Sequence, residues 1–316
     1  MYIIIVNAVS ANGHGLRILE KIKKDPLYLN KDCRVFKTEY EGHAEEIAEQ
    51  VAKRYASQIT SIIAIGGDGT LHEVVNGLKQ YPSLSVSFIP AGTGNDFARG
   101  CGISGDAVAL FRRIITAESS ISYWPGSFEI DGMKRAFMNS LGFGFDAEIV
   151  KVTNDSKYKK VLNKWKLGSL TYVIALLQVL TSFRPRTIHL EIDGKTHTVE
   201  KAWMVTVANH PYYGGGMKIL PNATIKPNTF SVLTVNNISH WKVLALFVTV
   251  FWGKHINFKE VSVFEASSLV IGSQKPMNYQ VDGQSGVCQT SKISKQLPAR
   301  SVYGAKRENN LLEITS

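Results

Sequence analysis

"IIAIGGDGTLHEVVNGL", residues 62–78, decides how the chain folds. An apolar run, Ile62 to Ile65, stops at two glycines, an aspartate, a third glycine and a threonine. Asp-Gly is a common hairpin turn, but a hairpin requires a second strand on its far side. Here Leu71, Val74, Val75 and Leu78 follow at i, i+3, i+4 and i+7, the spacing of a helix face. The loop therefore joins a strand to a helix. Thr70 and Glu73 have the spacing of a capping box, which predicts the helix start there.

Working outward, the same alternation fills the first third. "YIIIVN" (2–7), "CRVFKT" (33–38) and "SVSFIP" (85–90) read as strands. "GLRILEKIKK", "GHAEEIAEQVAKRY" and "DAVALFRRIIT" read as helices between or after them. This predicts an α/β N-terminal domain with a mostly parallel, helix-covered sheet over residues 1–124. Beyond it the texture changes to short β runs. Asp131-Gly132 and Asp193-Gly194 mark hairpin turns, and two apolar helices interrupt the strands at 170–180 and 243–252. A β-rich, antiparallel, sandwich-like C-terminal domain is expected over 125–304, with a tail, 305–316, able to return to the first domain.

Composition narrows the class. With 316 residues the chain exceeds what one core organises, so two domains are expected. The net charge of +10 favours an anionic partner, yet no Lys/Arg stretch interleaves with aromatics as a nucleic-acid groove requires. Cys33, Cys101 and Cys288 are widely spaced, without a CxxC, which argues against a disulfide framework or a zinc site and fits a reducing compartment. "MYIIIVN" lacks the features of a signal peptide, and the two longest apolar stretches are too short to span a bilayer. A cytoplasmic protein is expected.

The glycine loops carry the chemistry. Glycines let the backbone approach a phosphate, and a helix N-terminus favours negative charge. Asp68 repels a phosphate directly, so it acts either through an intervening cation or only to organise the turn with Thr70. "FIPAGTGNDFARG" (88–100) repeats the arrangement, with Thr93, Asn95 and Asp96, and "VNAVSANGHG" (6–15) offers a third strand–helix junction. His14, His43 and His72 lack a spaced partner for a triad or metal set. His210, before "PYYGGGM", is the one histidine worth testing.

These stretches, with "FMNSLGFGFDAE" (137–148), "YYGGGMKILP" (212–221) and "VDG" (281–283), resemble the catalytic domain of the soluble diacylglycerol kinase-like lipid kinases, which include sphingosine and ceramide kinases. The motifs recur in family order across nearly the whole chain; "GGDGT" alone also suits NAD kinases. The resemblance implies ATP and Mg2+. Asn7 and Ser10 match the first nucleotide-binding turn and Thr38 a second contact; Gly66, Gly67, Asp68, Gly69 and Thr70 hold the phosphates, with Asp68 near the metal. Thr93 belongs to the second loop, and Asn95 and Asp96 are implied there as phosphate or metal organisers, Asp96 among the catalytic residues. An apolar acceptor lipid is implied near Asn139, Gly142, Gly144, Gly214, Gly215 and Gly216. The implied partners are the lipid and an anionic membrane inner surface; a homodimer is compatible with the same reading.

Three departures stand out. The family's Asp-Gly-Glu, whose glutamate is the base, is "VDGQ", with Gln284 in its place; an amide orients a hydroxyl but cannot take its proton. Asp282 is a candidate substitute. Lys226, Pro227, Asn228 and Ser231 replace an acidic metal-binding segment, and Pro125 and Gly126 stand near a further family aspartate. The expected activity is a lipid kinase phosphorylating a diacylglycerol-like hydroxyl. A catalytically weak nucleotide- or lipid-binding regulator and an NAD kinase-like enzyme are the alternatives.

Overall fold

A computed structural model describes residues 1–11, 13–155 and 168–305. The chain forms two compact units: Met1–Tyr123 together with Pro298–Ser316, and Trp124–Leu297.

The first unit runs β1 (Tyr2–Asn7), α1 (His14–Ile22), α2 (Pro26–Leu29), β2 (Cys33–Thr38), α3 (His43–Tyr55), β3 (Ser61–Gly66), α4 (Asp68–Gly77), β4 (Val86–Pro90), α5 (Asp96–Gly100), α6 (Ala107–Thr116) and β5 (Ser120–Tyr123). Its parallel sheet has the order β2-β1-β3-β4. Helices on both faces leave Ile3, Ile4, Ile5, Ile62, Ile63 and Ile65 without solvent contact, which is why these strands read as continuous apolar runs. From β1 the chain first goes to one side and then crosses to the other. The β1/β3 boundary is therefore the switch point at which open α/β sheets bind ligands.

The second unit continues with β6 (Gly126–Ile130), β7 (Met133–Phe137), β8 (Ser140–Gly144), α7 (Phe145–Asp155), α8 (Gly168–Ser182), β9 (Arg186–Ile192) and β10 (Lys195–Ala208). There follow β11 (Tyr212–Tyr213), β12 (Met217–Lys218), β13 (Phe230–Asn236), α9 (His240–Val250), β14 (Val261–Ala266), β15 (Ser268–Val281) and β16 (Gln284–Lys295), and then β17 (Arg300–Tyr303). The antiparallel sheet has the order β14-β13-β10-β8-β15-β16-β6-β7, with β9 pairing both β10 and β15. Register shifts at 199/202 and 272/277 bend the long strands β10 and β15, so that one part of each pairs with β9 and another with β8. Alternation sorts the side chains. Leu141, Phe143, Val205 and Val207 enter one core, while Met204, Ala208, Leu233 and Val235 join α7, α8 and α9 in another.

Asp131-Gly132 and Asp193-Gly194 turn β6/β7 and β9/β10 with φ of 51° and 77°, and 49° and 81°. Asp282-Gly283, read above as part of a catalytic motif, makes the same turn between β15 and β16 with φ of 49° and 90°.

The end of the second domain differs from expectation. Residues 298–304, placed above in the β-rich domain, return to the first unit, where β17 pairs with β5. Arg300 is the physical reason. It is 1% exposed and donates to the carbonyls of Leu78 (2.7 Å), Tyr81 (3.0 Å) and Leu84 (3.2 Å), which fastens the returning strand to the exit loop of α4. The expectation for the tail concerns residues 305–316, of which 306–316 lie outside the described residues.

Candidate functional site

At the C-terminal ends of the parallel strands the predicted nucleotide residues converge. Asn7 and Thr38 are register partners at the ends of β1 and β2, and Gly66 ends β3. Asn7 Nδ2 donates to Thr70 Oγ1 across the switch point at 3.1 Å, while Asn7 Oδ1 accepts from the Val9 amide. Ser10 Oγ donates to the Asn7 carbonyl at 3.0 Å and so shapes the β1–α1 turn. A Cβ on Gly66 would collide with Thr70, so only glycine lets the hydroxyl sit over the strand end.

The capping box is not formed. Helix α4 starts at Asp68 after Gly67, which has no side-chain cap. Thr70 Oγ1 meets Asn7, and Glu73 Oε2 accepts from the Ala44 amide of α3 at 3.1 Å. Tertiary partners take both side chains that the local spacing assigns to the cap.

The two glycine loops lock together through backbone. Ala91 N–H donates to the Gly66 carbonyl at 2.7 Å, and a Cβ on Gly92 would lie 2.6 Å from the Gly67 Cα. The Asp68 carboxylate accepts from the amides of Asp96 and Phe97, each at 3.0 Å, and so caps α5 from the neighbouring loop. Asn95, at φ 56°, folds its amide back onto Gly92 N and O. Asp96 is buried and pairs with Arg99 at 3.2 Å, whereas Thr93 is exposed. Asp68 thus has the organising role, and the geometry leaves room for a further contact: a Cβ on Gly69 would meet nothing within 4 Å. Among the described residues no cluster of three or more His, Cys, Asp or Glu could hold a metal by itself.

In the second unit, Asp282 does not present itself as a base. Its carboxylate accepts from the amides of Met138 and Asn139, both at 2.7 Å, and of Ser140 at 3.1 Å, fixing the entry to β8. Gln284 opens β16, half-buried, opposite Val281. Asn139 Oδ1 meets His210 Nε2 at 2.9 Å, and Tyr212 N–H donates to His210 Nδ1, so the imidazole is neutral with its proton on Nε2. Burial pushes this histidine down to about 4, in keeping with a positioning role and not with acid–base work. Beside it, Lys295 Nζ donates to Asn209 Oδ1 at 2.6 Å, and burial lowers the amine to about 7. Lys226 pairs with Glu265 at 2.5 Å.

The sequence reading places the acceptor site at glycines; the structure gives those glycines supporting tasks. Gly214, Gly215 and Gly216, at φ of 61°, 89° and 107°, turn the β11/β12 hairpin, which brings Tyr213 and Met217 side by side. Gly142 faces Thr206 and Gln280 across β8, and the Asp146 carboxylate fills the place a Cβ there would take. Gly144 lets β8 approach the Trp203 carbonyl.

These devices surround an apolar cavity with about 510 Å³ of atom-free space, part of it open to solvent. Phe145, Trp203, Tyr213 and Met217 form one side, and Leu176 of α8 with Val243, Leu246 and Val250 of α9 the other. Asp146 is the one carboxylate among these wall residues. Desolvation raises this carboxyl to about 7, against hydrogen bonds from the Ala147 amide, Gln280 and Thr206 that favour the anion, and Oδ1 has no hydrogen-bond partner. Sequence reasoning missed Asp146, although it lies within a quoted motif. The available signal was a lone carboxylate between Phe145 and Ala147.

The comparisons with known proteins agree with this architecture. Residues 1–121 match the diacylglycerol kinase catalytic domain family, and residues 139–298 match the YegS C-terminal NAD kinase beta sandwich-like domain family. The chain is 33% identical to the "Putative lipid kinase YtlR" of Bacillus subtilis over 89% of this chain and 92% of that protein. It is 29% identical to a diacylglycerol kinase of the same organism, over 78% and 77% of the two chains. Its fold is similar to the crystal structure of a "putative diacylglycerol kinase" from Bacillus anthracis, with a TM-score of 0.74, 22% identity, and coverage of 95% and 94%. An NAD kinase structure from Archaeoglobus fulgidus shares the fold at a TM-score of 0.52 and 12% identity, covering 96% and 93%.

Proposed function

The chain belongs to the diacylglycerol kinase catalytic-domain family, and from that premise we propose that it is an ATP-dependent kinase of a long-chain lipid alcohol of the diacylglycerol type, acting at a membrane surface. The lipid reading rests on one observation: the cavity of the second unit is apolar except for Asp146. Acyl chains suit such walls, and a carboxyl near its protonation midpoint can both give and take a hydrogen bond with an acceptor hydroxyl.

The nucleotide reading rests on the β1, β3 and β4 loops. Their glycines admit phosphate oxygens close to backbone, and the first N–H groups of α4 lack intrahelical acceptors. Asp68 suits Mg2+ carried on the nucleotide, because that ion is commonly held by one or two carboxylates plus phosphates. Magnesium would neutralise charge on the phosphates. Asn7, Thr70 and the locked Gly67/Gly92 pair would keep the nucleotide in place. In the transfer, the bond from the lipid oxygen to the γ-phosphorus forms as the bond to the β,γ-bridging oxygen breaks; ADP leaves, and the hydroxyl proton passes to solvent. Positioning carries most of this chemistry, so the absence of a glutamate base at residue 284 costs about 10²- to 10⁴-fold without removing the reaction.

A second reading, a lipid- or nucleotide-binding regulator with little turnover, is favoured by the turn at residues 281–284. Asp282 is held by three amides, and Gln284 is itself an amide. The deciding experiment is transfer from γ-labelled ATP to diacylglycerol, monoacylglycerol, ceramide and sphingosine in mixed micelles, for wild type, Asp68→Asn and Gln284→Glu. Label in a lipid alcohol, lost in Asp68→Asn and raised in Gln284→Glu, is the expected outcome. No label from any chain, with ATP still bound, would favour the regulator.

A further inference from the structure

Helix α9 is apolar on its inner and outer faces, with Lys242 and Thr249 together on one flank, yet only the inner face is covered. Val243, Leu246 and Val250 line the cavity. On the opposite face Trp241, Ala245, Val248 and Trp252 recur at i, i+4, i+7 and i+11, all exposed, the two tryptophans at 82% and 68%. The helical part of this stripe, Trp241 to Val248, runs for about 10 Å, and Trp252 continues it in the turn just after the helix. An exposed apolar face of this kind marks a surface for an apolar partner, and this helix is too short to cross a bilayer. Three features identify its surroundings. Tryptophan is the residue enriched at the membrane–water interface. Exposed Lys254 and Lys259 follow the stripe, while the nearby acid, Glu260, is buried and held by Lys242 at 2.7 Å, so the charge displayed there is positive. Finally, α9 and the equally two-faced α8, with Ile174 and Leu177 exposed, wall the cavity itself, so lipid at their outer faces would lie beside its apolar interior.

We infer that the outer face of α9 and the turn that follows it, from Trp241 to Trp252, docks on an anionic lipid bilayer, with the indoles at headgroup depth and the lysines on the phosphates. The inference rests on the lipid-kinase reading for its purpose, but not for its test. The full-length chain is sedimented with phosphatidylcholine vesicles containing about 30% phosphatidylglycerol, as wild type and as Trp241→Ala/Trp252→Ala. In parallel, both are assayed on a short-chain diacylglycerol dissolved as monomers. The expected result is wild-type binding, reduced roughly tenfold or more in the variant, with equal turnover of the soluble acceptor. Quenching of wild-type tryptophan fluorescence by vesicles with brominated acyl chains gives a second readout that depends on no variant. Equal vesicle binding by both proteins, or no quenching, overturns the inference. A wild-type dimer that the variant lacks, with vesicle binding unchanged, also overturns it and assigns the stripe to a second copy of the chain. Turnover without vesicle binding sinks the docking face alone; vesicle binding lost in the variant, with no turnover by either protein, sinks the kinase reading alone.

Discussion

Asp146 is where a single residue controls most. Burial raises its carboxyl to about 7, and one oxygen meets no partner, so the group is a neutral acid over much of the acidic range. The folded value lies above the unfolded one of 3.8, so this group's contribution to stability is fully present below that value and is lost as pH rises through 7. Wild type should therefore lose on the order of 1–4 kcal/mol between pH 4 and 8 from this residue alone. In Asp146→Asn that loss should vanish, as read from urea midpoints at several pH values across the window. A wild-type profile as flat as the variant's would show that the carboxyl titrates normally. The same substitution keeps the hydrogen bond from Thr206 while removing the ionisation, so its turnover against pH reports separately on acceptor binding.

At the scale of elements, the loops after β3 and β4 act as one piece. Asp68 caps α5 from outside its own helix, and Gly92 rides within contact of Gly67. An added Cβ at Gly92 would stand 2.6 Å from the Gly67 Cα and 3.3 Å from its amide, both backbone atoms with nowhere to move. Gly92→Ala should lower the thermal midpoint by several degrees, in line with about 1–3 kcal/mol of overpacking. Gly69→Ala should not, because nothing stands within 4 Å of a Cβ there. Scanning calorimetry of the two variants compares them directly, and equal midpoints would mean that the loops are not packed against each other. The hairpins show how a turn signal can be legible while its purpose is not. Asp131-Gly132, Asp193-Gly194 and Asp282-Gly283 share one backbone geometry, yet Asp193 and Asp282 each also reach amides far along the chain.

For the whole molecule, the decisive feature is that the chain comes back. After the β-rich unit, β17 completes the first unit by pairing with β5 and delivering Arg300 to three carbonyls. Replacing Arg300 by Met would remove three charge-assisted hydrogen bonds to backbone carbonyls, a cost of about 2–4 kcal/mol. The expectation is a lower urea midpoint for the first unit, with Arg300→Lys recovering part of it. An unchanged midpoint would show that β17 merely lies on the surface.

By itself the sequence determined the alternation of strands and helices in residues 1–124, the change to antiparallel hairpins beyond, and the glycine loops at the strand ends. Each is written locally, in spacing of 3.6 or 2 and in turn residues that tolerate positive φ. What only the tertiary structure decided is which partner each polar group meets. Thr70 and Glu73 have cap spacing, but Asn7 and Ala44 are nearer in space; Asp282 looks like a base until three amides close on it. The cavity belongs to the same class. Its walls come from β10, α7, α8, β11, β12, β13 and α9, segments far apart in the chain, and only their packing removes water from Asp146.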